Sequence, residues 1–280
     1  MPDPAGKRRA FRALHEGGCF VIPNPFDIGS ARYLQSRGFK ALATTSSGAA
    51  WSLGHSDGDV PLDTMLEHIA AIVRVADVPV NADFMDGYGA TPDDVAANVA
   101  RCVATGVAGL SIEDATGDPA NPLYAFDRAV ARVAAARAAI DASGADVLLT
   151  ARAECYLTGH EAPLDEAIRR LTAFAEAGAD CLYAPGPATR ADIAAIVQAV
   201  APKPVNVLAR NLDGLTVADL AGLGVRRISV GGLLARMAWT GVIAATDDLV
   251  EGRFDAFSGA APGGPLNDLF ARRAKEGGQA

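Results

Sequence analysis

Residues 78–83 read Val-Pro-Val-Asn-Ala-Asp, an apolar, strand-like run that ends in the carboxylate of Asp83. The same pattern returns twice further along the chain, in runs that end in Glu113 and Arg152. Charged side chains are rarely buried without a partner, so three strand-like runs that each end in a charge are informative. The carboxyl ends of parallel strands in a β/α barrel point at one shared mouth, where active sites are built. The three runs therefore predict a barrel whose mouth carries these side chains.

Short strand-like runs alternate about eight times with longer, Ala-rich helical stretches, and this rhythm predicts a parallel sheet. The runs lie near residues 19–23, 41–45, 78–83, 109–113, 147–152, 181–184, 205–209 and 227–230. The chain has 280 residues, 50% of them hydrophobic, and a barrel of this type needs about 250. We therefore predict an α/β fold, a (β/α)8 TIM barrel, as a single domain over residues 1–280.

Amphipathic patterns predict the helices that connect these strands. They lie at residues 61–75, 91–105, 126–142, 163–177, 190–200 and 217–223. Two of the helix-to-strand connections are near copies, and Gly106 and Gly178 in them are typical of a left-handed helix C-cap.

The C-terminal region, residues 233–280, predicts a helical extension of the barrel. Its segments are an apolar helix at 233–243, a stretch at 247–257, a Gly/Pro-rich hinge at 258–265 and a last helix at 266–275. The hinge allows the last helix either to pack on its own barrel or to be exchanged with a neighbouring subunit.

Charge and composition exclude several classes of partner. The formal net charge is -8, and the longest basic cluster is Lys7-Arg8-Arg9, so neither nucleic acid nor an anionic membrane is expected as a partner. The chain has no apolar stretch of membrane-spanning length and no apolar segment after its first basic residues, which predicts a cytoplasmic protein. The four cysteines show no CxxC spacing, so neither disulfides nor a structural zinc site is expected. The remaining expectation is a small-molecule ligand.

Three carboxylates and one guanidinium, those of Asp57, Asp83, Glu113 and Arg152, suggest a divalent metal and an anionic substrate. Asp83 is the predicted direct metal ligand, because two glycines follow it in a turn that lets a ligand approach. Asp57 and Glu113 are predicted to act through water, since Mg²⁺ usually keeps several waters, and Mn²⁺ could replace Mg²⁺. Arg152 is predicted to bind a substrate carboxylate with both arms of its guanidinium. The alternative for any one of these charges is a buried ion pair.

A hydroxyl-rich run follows the second strand, at residues 44–48. Thr45, Ser46, Ser47 and Gly48 offer hydroxyl and backbone N–H groups that can bind a carboxylate or an oxyanion, so we predict them as substrate-binding residues. The alternative is that the run only caps the next helix.

Four short motifs, at residues 52–57, 81–89, 111–114 and 150–154, resemble those of the isocitrate lyase/phosphoenolpyruvate mutase superfamily in order and spacing. The resemblance covers roughly residues 10–260. It implies a β/α barrel, a last helix exchanged within a homodimer or homotetramer, Mg²⁺, and substrates that are 2-oxo or 2-hydroxy carboxylates. It assigns the metal carboxylate to Asp83, the water-mediated carboxylates to Asp57 and Glu113, and the substrate arginine to Arg152. The region around Ser46 corresponds to the loop that holds the 2-oxo acid.

The chain departs from the superfamily pattern in two places. Met85 stands where many members carry a second metal-side carboxylate, and Asp86 lies one position further on. The loop at residues 116–124 has neither the Lys-x-Cys-Gly-His motif of the isocitrate and methylisocitrate lyases nor the Lys-Asn-Ser type of loop of phosphoenolpyruvate mutase. Asn121 and Tyr124 are the loop residues that we expect to touch the substrate and act in catalysis.

These observations lead to one main hypothesis and two alternatives. We expect a Mg²⁺-dependent lyase-type enzyme that acts on a small 2-oxo dicarboxylate, such as oxaloacetate or a substituted relative, and cleaves a C–C bond through an enolate. The first alternative is an enzyme of P–C bonds, a phosphonomutase or hydrolase, that acts on a compound of the phosphonopyruvate or phosphoenolpyruvate type. The second is a 2-oxo acid binding protein without activity.

Overall fold

Parallel strands form a barrel in the computed structural model, which describes residues 3–187, 189–212 and 214–276. The strands are β1 (Phe20–Ile22), β2 (Leu42–Ala43), β3 (Val80–Asp83), β4 (Gly109–Glu113), β5 (Leu148–Arg152), β6 (Cys181–Tyr183), β7 (Val205–Leu208) and β8 (Arg227–Ser229). They are ordered β1-β8-β7-β6-β5-β4-β3-β2, and each neighbouring pair is parallel. The amide of Ala43 donates to the carbonyl of Pro23 at 3.1 Å, which brings the two ends of the sheet together. The predicted β/α barrel is confirmed.

The barrel unit, Met1–Gly232, carries its helices between and around the strands. They are α1 (Pro4–Glu16), α2 (Ile28–Ser36), α3 (Ser46–Ser52), α4 (Leu62–Val75), α5 (Pro92–Ala104), α6 (Phe126–Ala142), α7 (Pro163–Glu176), α8 (Arg190–Val200) and α9 (Val217–Gly222). Helix α5 shows how the sequence sets these bounds: Thr91 caps the first turn in a capping box with Asp94, and Pro92 follows the cap. Gly106, with φ +91°, and Gly178, with φ +101°, adopt the predicted left-handed conformation.

The second compact unit, Leu233–Ala280, contains α10 (Leu233–Val250), a 3-10 helix (Asp255–Gly259) and α11 (Gly263–Glu276). Helix α10 is longer than predicted: it continues through Gly241, which keeps a helical backbone, and ends at Val250, before Gly252 with φ +73°. The predicted hinge is shorter on its C-terminal side, because Pro265 lies in the first turn of α11, where a missing N–H is tolerated. Among the described helices, none combines the length and the apolar character needed to cross a lipid bilayer.

The strand register aligns the charged ends of β4 and β5, and Asp83 at the end of β3 pairs with Ser111 of β4. Glu113 of β4 pairs with Arg152 of β5, and Arg152 pairs with Tyr183 of β6. Asp83 ends the neighbouring strand, β3. Apolar side chains between the strands and the surrounding helices form the main core. The fold therefore places three of the predicted site residues side by side.

Helix α1 packs at the opposite end, where the strands begin. Phe11 is fully buried against residues at the starts of β5 and β6, Leu148 and Cys181. Nε2 of His15 lies 3.4 Å from Nη1 of the buried Arg227, and its Nδ1 lies 2.8 Å from the carbonyl oxygen of Phe11. Burial, followed by the charge of Arg227, lowers the pKa of His15 to about 3. His15 is therefore neutral in the folded protein at neutral pH.

We expect His15→Gln to remove part of the acid sensitivity of the fold. As the pH falls below 6.5, the unfolded chain takes up a proton on His15 that the folded protein does not, so stability is lost on the way down towards pH 3. Between pH 7 and pH 5 this amounts to about 2 kcal/mol for one histidine. Denaturant unfolding at the two pH values should show that difference in the wild type and in His160→Gln, an exposed control. An equal pH dependence in His15→Gln would contradict the prediction.

Candidate active site

The guanidinium of Arg152 lies among carboxylates at the mouth of the barrel. Its Nη1 is 2.9 Å from Oδ1 of Asp83 and 2.9 Å from Oε2 of Glu113. The side chain is 15% exposed, and those of Asp83 and Glu113 are 17% and 14% exposed. The structure thus brings together three of the residues predicted from the strand ends. It also shows that the guanidinium already binds protein carboxylates. Bidentate binding of a substrate carboxylate therefore requires that one of these contacts be displaced.

Glu154 is a fourth charged member that the sequence analysis did not include in the site. Its Oε1 lies 2.7 Å from Nη2 and 2.9 Å from Nε of Arg152, and the residue is buried. Glu154 follows Arg152 by two positions, and alternate residues of an extended chain face the same side. That spacing was the signal that could have identified it.

The first residue of α3, Ser46, is hydrogen-bonded to the carboxylate of Asp83. The amide of Ser46 donates to Oδ2 of Asp83 at 2.9 Å. The amide of Asp83 in turn donates to the hydroxyl of Thr44 at 2.8 Å. The first contact orients the Asp83 carboxylate, with its Oδ1 on Arg152, and the second fixes the Asp83 backbone.

The predicted hydroxyl-rich run serves as the N-terminal cap of α3. Thr45 is the N-cap, and its hydroxyl accepts from the amide of Gly48 at 3.3 Å. The hydroxyl of Ser47 lies 3.2 Å from that of Thr45. A side chain at Gly232, after β8, would meet the Ser47 hydroxyl at 2.6 Å. The capping alternative is therefore realised, and the run also borders the site through Ser46.

Asp57 lies in the loop after α3, close to the other charges. The residue is exposed, but its carboxyl group is partly covered and lies near the side chain of Ser46. Burial, followed by the charge of Asp83, raises the pKa of Asp57. The structure therefore brings Asp57 near Asp83, as predicted, at the exposed edge of the site.

The site carries more negative than positive charge. Burial, followed by the charges of Glu154 and Asp83, raises the pKa of Glu113 well above its usual range, although Arg152 opposes this shift. Burial also raises the pKa of Glu154. Burial alone would lower the pKa of Arg152, but Glu113, Glu154 and Asp83 raise it well above its usual value. One guanidinium does not offset all the carboxylates around it.

This surplus of oxygen donors and negative charge fits a hard divalent cation such as Mg²⁺. Asp83 is the best placed to hold it, because each carboxylate oxygen has lone pairs beyond its contact to Arg152 or Ser46. Among the described residues, no three His, Cys, Asp or Glu side chains form a group that could enclose an ion. The predicted arrangement needs no such enclosure, since it has one direct carboxylate and two that act through water.

Asp86 does not stand in for the carboxylate that the superfamily places at Met85. Its Oδ2 accepts from the hydroxyl of Tyr124 at 2.8 Å and lies 2.9 Å from Nη2 of Arg132. Arg132 is 1% exposed and also lies over the Tyr124 ring, with its Cζ 4.1 Å from the ring centroid. Asp86 therefore belongs to a second cluster, formed with Arg132 and Tyr124.

The loop that should supply catalysis is a closed hairpin with a fixed end. Ala115 and Leu123 form an antiparallel bridge. Nη1 of Arg170 donates at 3.0 Å both to Asp114 and to the carbonyl of Tyr124, and Arg170 is buried. Asn121 is exposed, and its side-chain amide donates to Asp118 in the same loop at 3.1 Å.

The structure thus places Tyr124 on Asp86 and Asn121 on Asp118, rather than on Arg152. A cavity of about 490 Å³ lies between this loop and the segment after β5. It is lined by Ala120, Asn121, Pro122, Leu123, Tyr124, Ala125, Thr158, Gly159, His160, Glu161 and Arg170. The predicted catalytic roles of Asn121 and Tyr124 stay predictions.

Cys155 does not replace the thiol that the loop lacks. It follows Arg152 by three positions and is fully buried. Burial, followed by the charge of Asp114, raises the pKa of its thiol to about 12. A thiol that stays protonated at neutral pH is a poor nucleophile and a poor base.

Comparison with known proteins gives a consistent result along the chain. The family model for phosphoenolpyruvate phosphomutase matches residues 11–250. An uncharacterized protein of Mycobacterium tuberculosis is 35% identical over 217 residues, which cover 78% of this chain and 79% of that protein. The oxaloacetate decarboxylase of Paraburkholderia xenovorans is 35% identical over 205 residues, which cover 69% of this chain and 66% of that protein.

A solved structure matches nearly the whole chain. It belongs to a candidate lyase/mutase of Burkholderia cenocepacia J2315, which is 46% identical and superposes with a TM-score of 0.92. The match covers 96% of this chain and 97% of that protein.

Proposed function

Because the chain belongs to the isocitrate lyase/phosphoenolpyruvate mutase superfamily, a family of lyases and mutases, we propose that it is a Mg²⁺-dependent lyase-type enzyme of small 2-oxo dicarboxylates such as oxaloacetate or a substituted relative. The reaction breaks the C–C bond beside the carbon that becomes the enolate, and the electron pair of that bond passes into the enolate. The similarity to an oxaloacetate decarboxylase supports this substrate class.

One observation carries the proposal: the guanidinium of Arg152, only 15% exposed, lies at the barrel mouth among Asp83, Glu113 and Glu154. These carboxylates hold Arg152 in place before substrate arrives. An arriving substrate carboxylate takes over one of the contacts on Nη1 or Nη2, and binding to a cation that is already oriented costs little ordering. Displacement of one carboxylate from Arg152 also frees that carboxylate for another partner.

Asp83 would hold Mg²⁺ directly, and Asp57 and Glu113 would hold it through water. When bound, the cation supplies Lewis-acid stabilisation of the negative charge on the 2-oxo group. Mn²⁺ could take its place. The chain's own contribution is to fix the Asp83 carboxylate through the amide of Ser46 and the guanidinium of Arg152. One carboxylate would then serve both the metal ion and the arginine that binds the substrate.

A P–C bond reaction is the second candidate, and the match of the phosphoenolpyruvate phosphomutase family model favours it. The same residues would bind the 2-oxo carboxylate part of a phosphonopyruvate-type substrate. The phosphorus group would require further hydrogen-bond donors. Asn121 offers a side-chain amide in the loop, although that amide donates to Asp118.

The test is Mg²⁺-dependent turnover of a substrate panel, followed by mass spectrometry of the products. The panel contains oxaloacetate, substituted 2-oxo dicarboxylates, 2-hydroxy dicarboxylates and phosphonopyruvate. We expect C–C cleavage of a 2-oxo dicarboxylate that stops when EDTA removes the metal. Turnover of phosphonopyruvate alone would favour the second candidate, and binding without turnover across the panel would contradict both.

The cytoplasmic location predicted from the sequence is part of this proposal.

We also propose that the protein is a homodimer or homotetramer assembled through its C-terminal unit. That unit exposes large apolar side chains that a monomer would leave in water: Met237 (67% exposed), Val242 (53%), Ile243 (57%), Val250 (84%) and Phe254 (70%). Contiguous exposed apolar surface is typical of an interface.

We expect the double substitution Ile243→Asp with Phe254→Asp to convert the assembly to monomers of 28.7 kDa. Charged side chains cannot be buried in an apolar interface without a partner. Light scattering after size exclusion gives the mass. Val217→Asp, at an exposed apolar position of the barrel unit, is the matched control. A monomeric wild type, or an unchanged mass in the double variant, would refute the proposal.

A further inference from the structure

The loop from Phe84 to Gly89, between β3 and α5, has a backbone that bulky residues rarely adopt. Met85 has φ +46° and Tyr88 has φ +54°, both in the left-handed region that favours glycine. Side chains at Gly89 are excluded, because a Cβ there would lie 2.6 Å from the amide nitrogen of Val95. Such conformations persist only where the surrounding structure imposes them, and they concentrate at functional sites.

Two side chains, the half-buried Asn98 and the buried Arg132, impose this conformation. Nδ2 of Asn98 donates to the carbonyls of Gly87 at 3.1 Å and Tyr88 at 2.9 Å. Arg132 donates to the carbonyls of Asp86 at 2.6 Å and Gly89 at 2.8 Å. Four successive carbonyl groups are thus held by donors from α5 and α6, and the strained loop is fixed in one shape.

This shape buries the hydroxyl of Tyr88 without a hydrogen-bond partner among the described residues. The ring packs on Phe84, with 5.2 Å between the ring centroids. Burial, followed by the charges of Asp83, Asp86, Asp57 and Glu113, raises the pKa of the hydroxyl, so it keeps its proton and remains a donor. Removing a hydroxyl from water without giving it a partner is unfavourable.

The surroundings indicate what the missing partner is. The carboxylates near Tyr88 do not accept from its hydroxyl and are directed elsewhere: Asp83 and Glu113 to Arg152, and Asp86 to Arg132 and Tyr124. An acceptor from a ligand would satisfy the hydroxyl, and the proposed ligand is rich in oxygen acceptors. A neutral donor adds no charge to the site, unlike a second arginine.

We propose that the hydroxyl of Tyr88 donates a hydrogen bond to an oxygen of the bound 2-oxo acid, and that the fixed loop serves to direct it there. This inference rests on the proposed function and adds a substrate-binding residue to it. Tyr88 joins Arg152 in holding the substrate, from the loop that follows β3.

Tyr88→Phe tests the assignment, because it removes one oxygen and keeps the ring on Phe84. The probe is oxalate, a planar dicarboxylate that resembles the enolate of a 2-oxo acid, titrated calorimetrically at saturating Mg²⁺. We expect oxalate to bind about 10- to 100-fold more weakly, as for a lost hydrogen bond to a charged group. Binding of Mn²⁺ alone should stay within about twofold, and the melting temperature of the ligand-free protein should stay the same or rise, because an unpartnered buried hydroxyl is removed.

Tyr33→Phe, at an exposed tyrosine, is the matched control and should match the wild type in all three measurements. Unchanged oxalate affinity in Tyr88→Phe would overturn the inference while leaving the proposed function intact. An equal loss of Mn²⁺ affinity, or a melting temperature lowered by several degrees, would assign the hydroxyl to the metal or to folding and would also overturn it. A wild type that binds neither oxalate nor any 2-oxo acid would overturn the proposed function and this inference together.

Discussion

Replacing Arg152 by alanine should abolish turnover and lower the melting temperature by on the order of 10 °C. The substitution removes the cation that faces Asp83, Glu113 and Glu154, and leaves these buried carboxylates to repel one another. Removing one partner of a buried ion pair typically costs about 3–5 kcal/mol. Loss of the substrate-binding guanidinium should reduce kcat/KM by about 10³-fold or more.

The pH dependence of this loss gives a second readout. Without Arg152 the pKa values of Glu113 and Glu154, already raised by burial, should rise further. A carboxyl whose pKa is raised in the folded state binds more protons folded than unfolded, so its contribution to stability falls as the pH rises from about 4.5 through the raised pKa. The deficit of Arg152→Ala against the wild type should therefore be larger at pH 8 than at pH 5.5.

Calorimetry at the two pH values, together with steady-state kinetics, makes both measurements. The control is Arg190→Ala, which breaks an exposed pair with Asp219 and should change the free energy of unfolding by less than about 1 kcal/mol. A deficit of Arg152→Ala that is no larger than that of the control, or one that grows on acidification, would count against the charge balance described above.

Asp83→Asn should abolish metal-dependent turnover, by about 10³-fold or more, without destabilising the ligand-free protein. The amide keeps the shape of the side chain but removes the charge that would hold Mg²⁺. Because Arg152 still pairs with Glu113 and Glu154, the substitution relieves the surplus of negative charge. The melting temperature without metal should therefore stay the same or rise, in contrast to that of Arg152→Ala.

Mn²⁺ binding, followed by electron paramagnetic resonance, separates this effect from a fault in folding. Asp63→Asn, at an exposed aspartate paired with Arg101, is the matched control and should keep both metal binding and turnover. Asp86→Asn distinguishes the two clusters: we expect it to retain Mn²⁺ affinity, because Asp86 is bound to Arg132 and Tyr124. If Asp86→Asn loses Mn²⁺ and Asp83→Asn does not, the metal ligand has been misassigned.

The charged ends of β3, β4 and β5 were predictable because strand ends are local in sequence and a barrel brings them to one mouth. The sequence alone therefore predicts that Asp83, Glu113 and Arg152 lie together. The detailed partners of Arg152 were not predictable, since they depend on side-chain rotamers and on Glu154, which lies just beyond the strand. The same alternation rule that places Arg152 at the mouth would have included it.

The loop residues were harder to predict, because their partners lie on other elements. Tyr124 is bound by Asp86, 38 positions away, and Arg132 lies 46 positions from that aspartate. No local pattern encodes such pairs. The unusual backbone of Tyr88 also has no signal in sequence beyond its two flanking glycines, because it is imposed by Asn98 and Arg132 from outside the loop. Helix α10 extends past the predicted apolar segment 233–243 to Val250, because polar and acidic residues are tolerated inside a helix.

Arg132 connects two loops that could otherwise be exchanged independently of each other in evolution. Its guanidinium binds the loop that carries Tyr88 and covers the ring of Tyr124 at the end of the loop that carries Asn121. Exchanging the second loop for that of a relative would leave Arg132 and Asp86 without their aromatic partner and would disturb the first. Substrate preference in this lineage should therefore change by coordinated substitution of Asp86, Tyr124 and Arg132, and a loop graft into this scaffold should include all three.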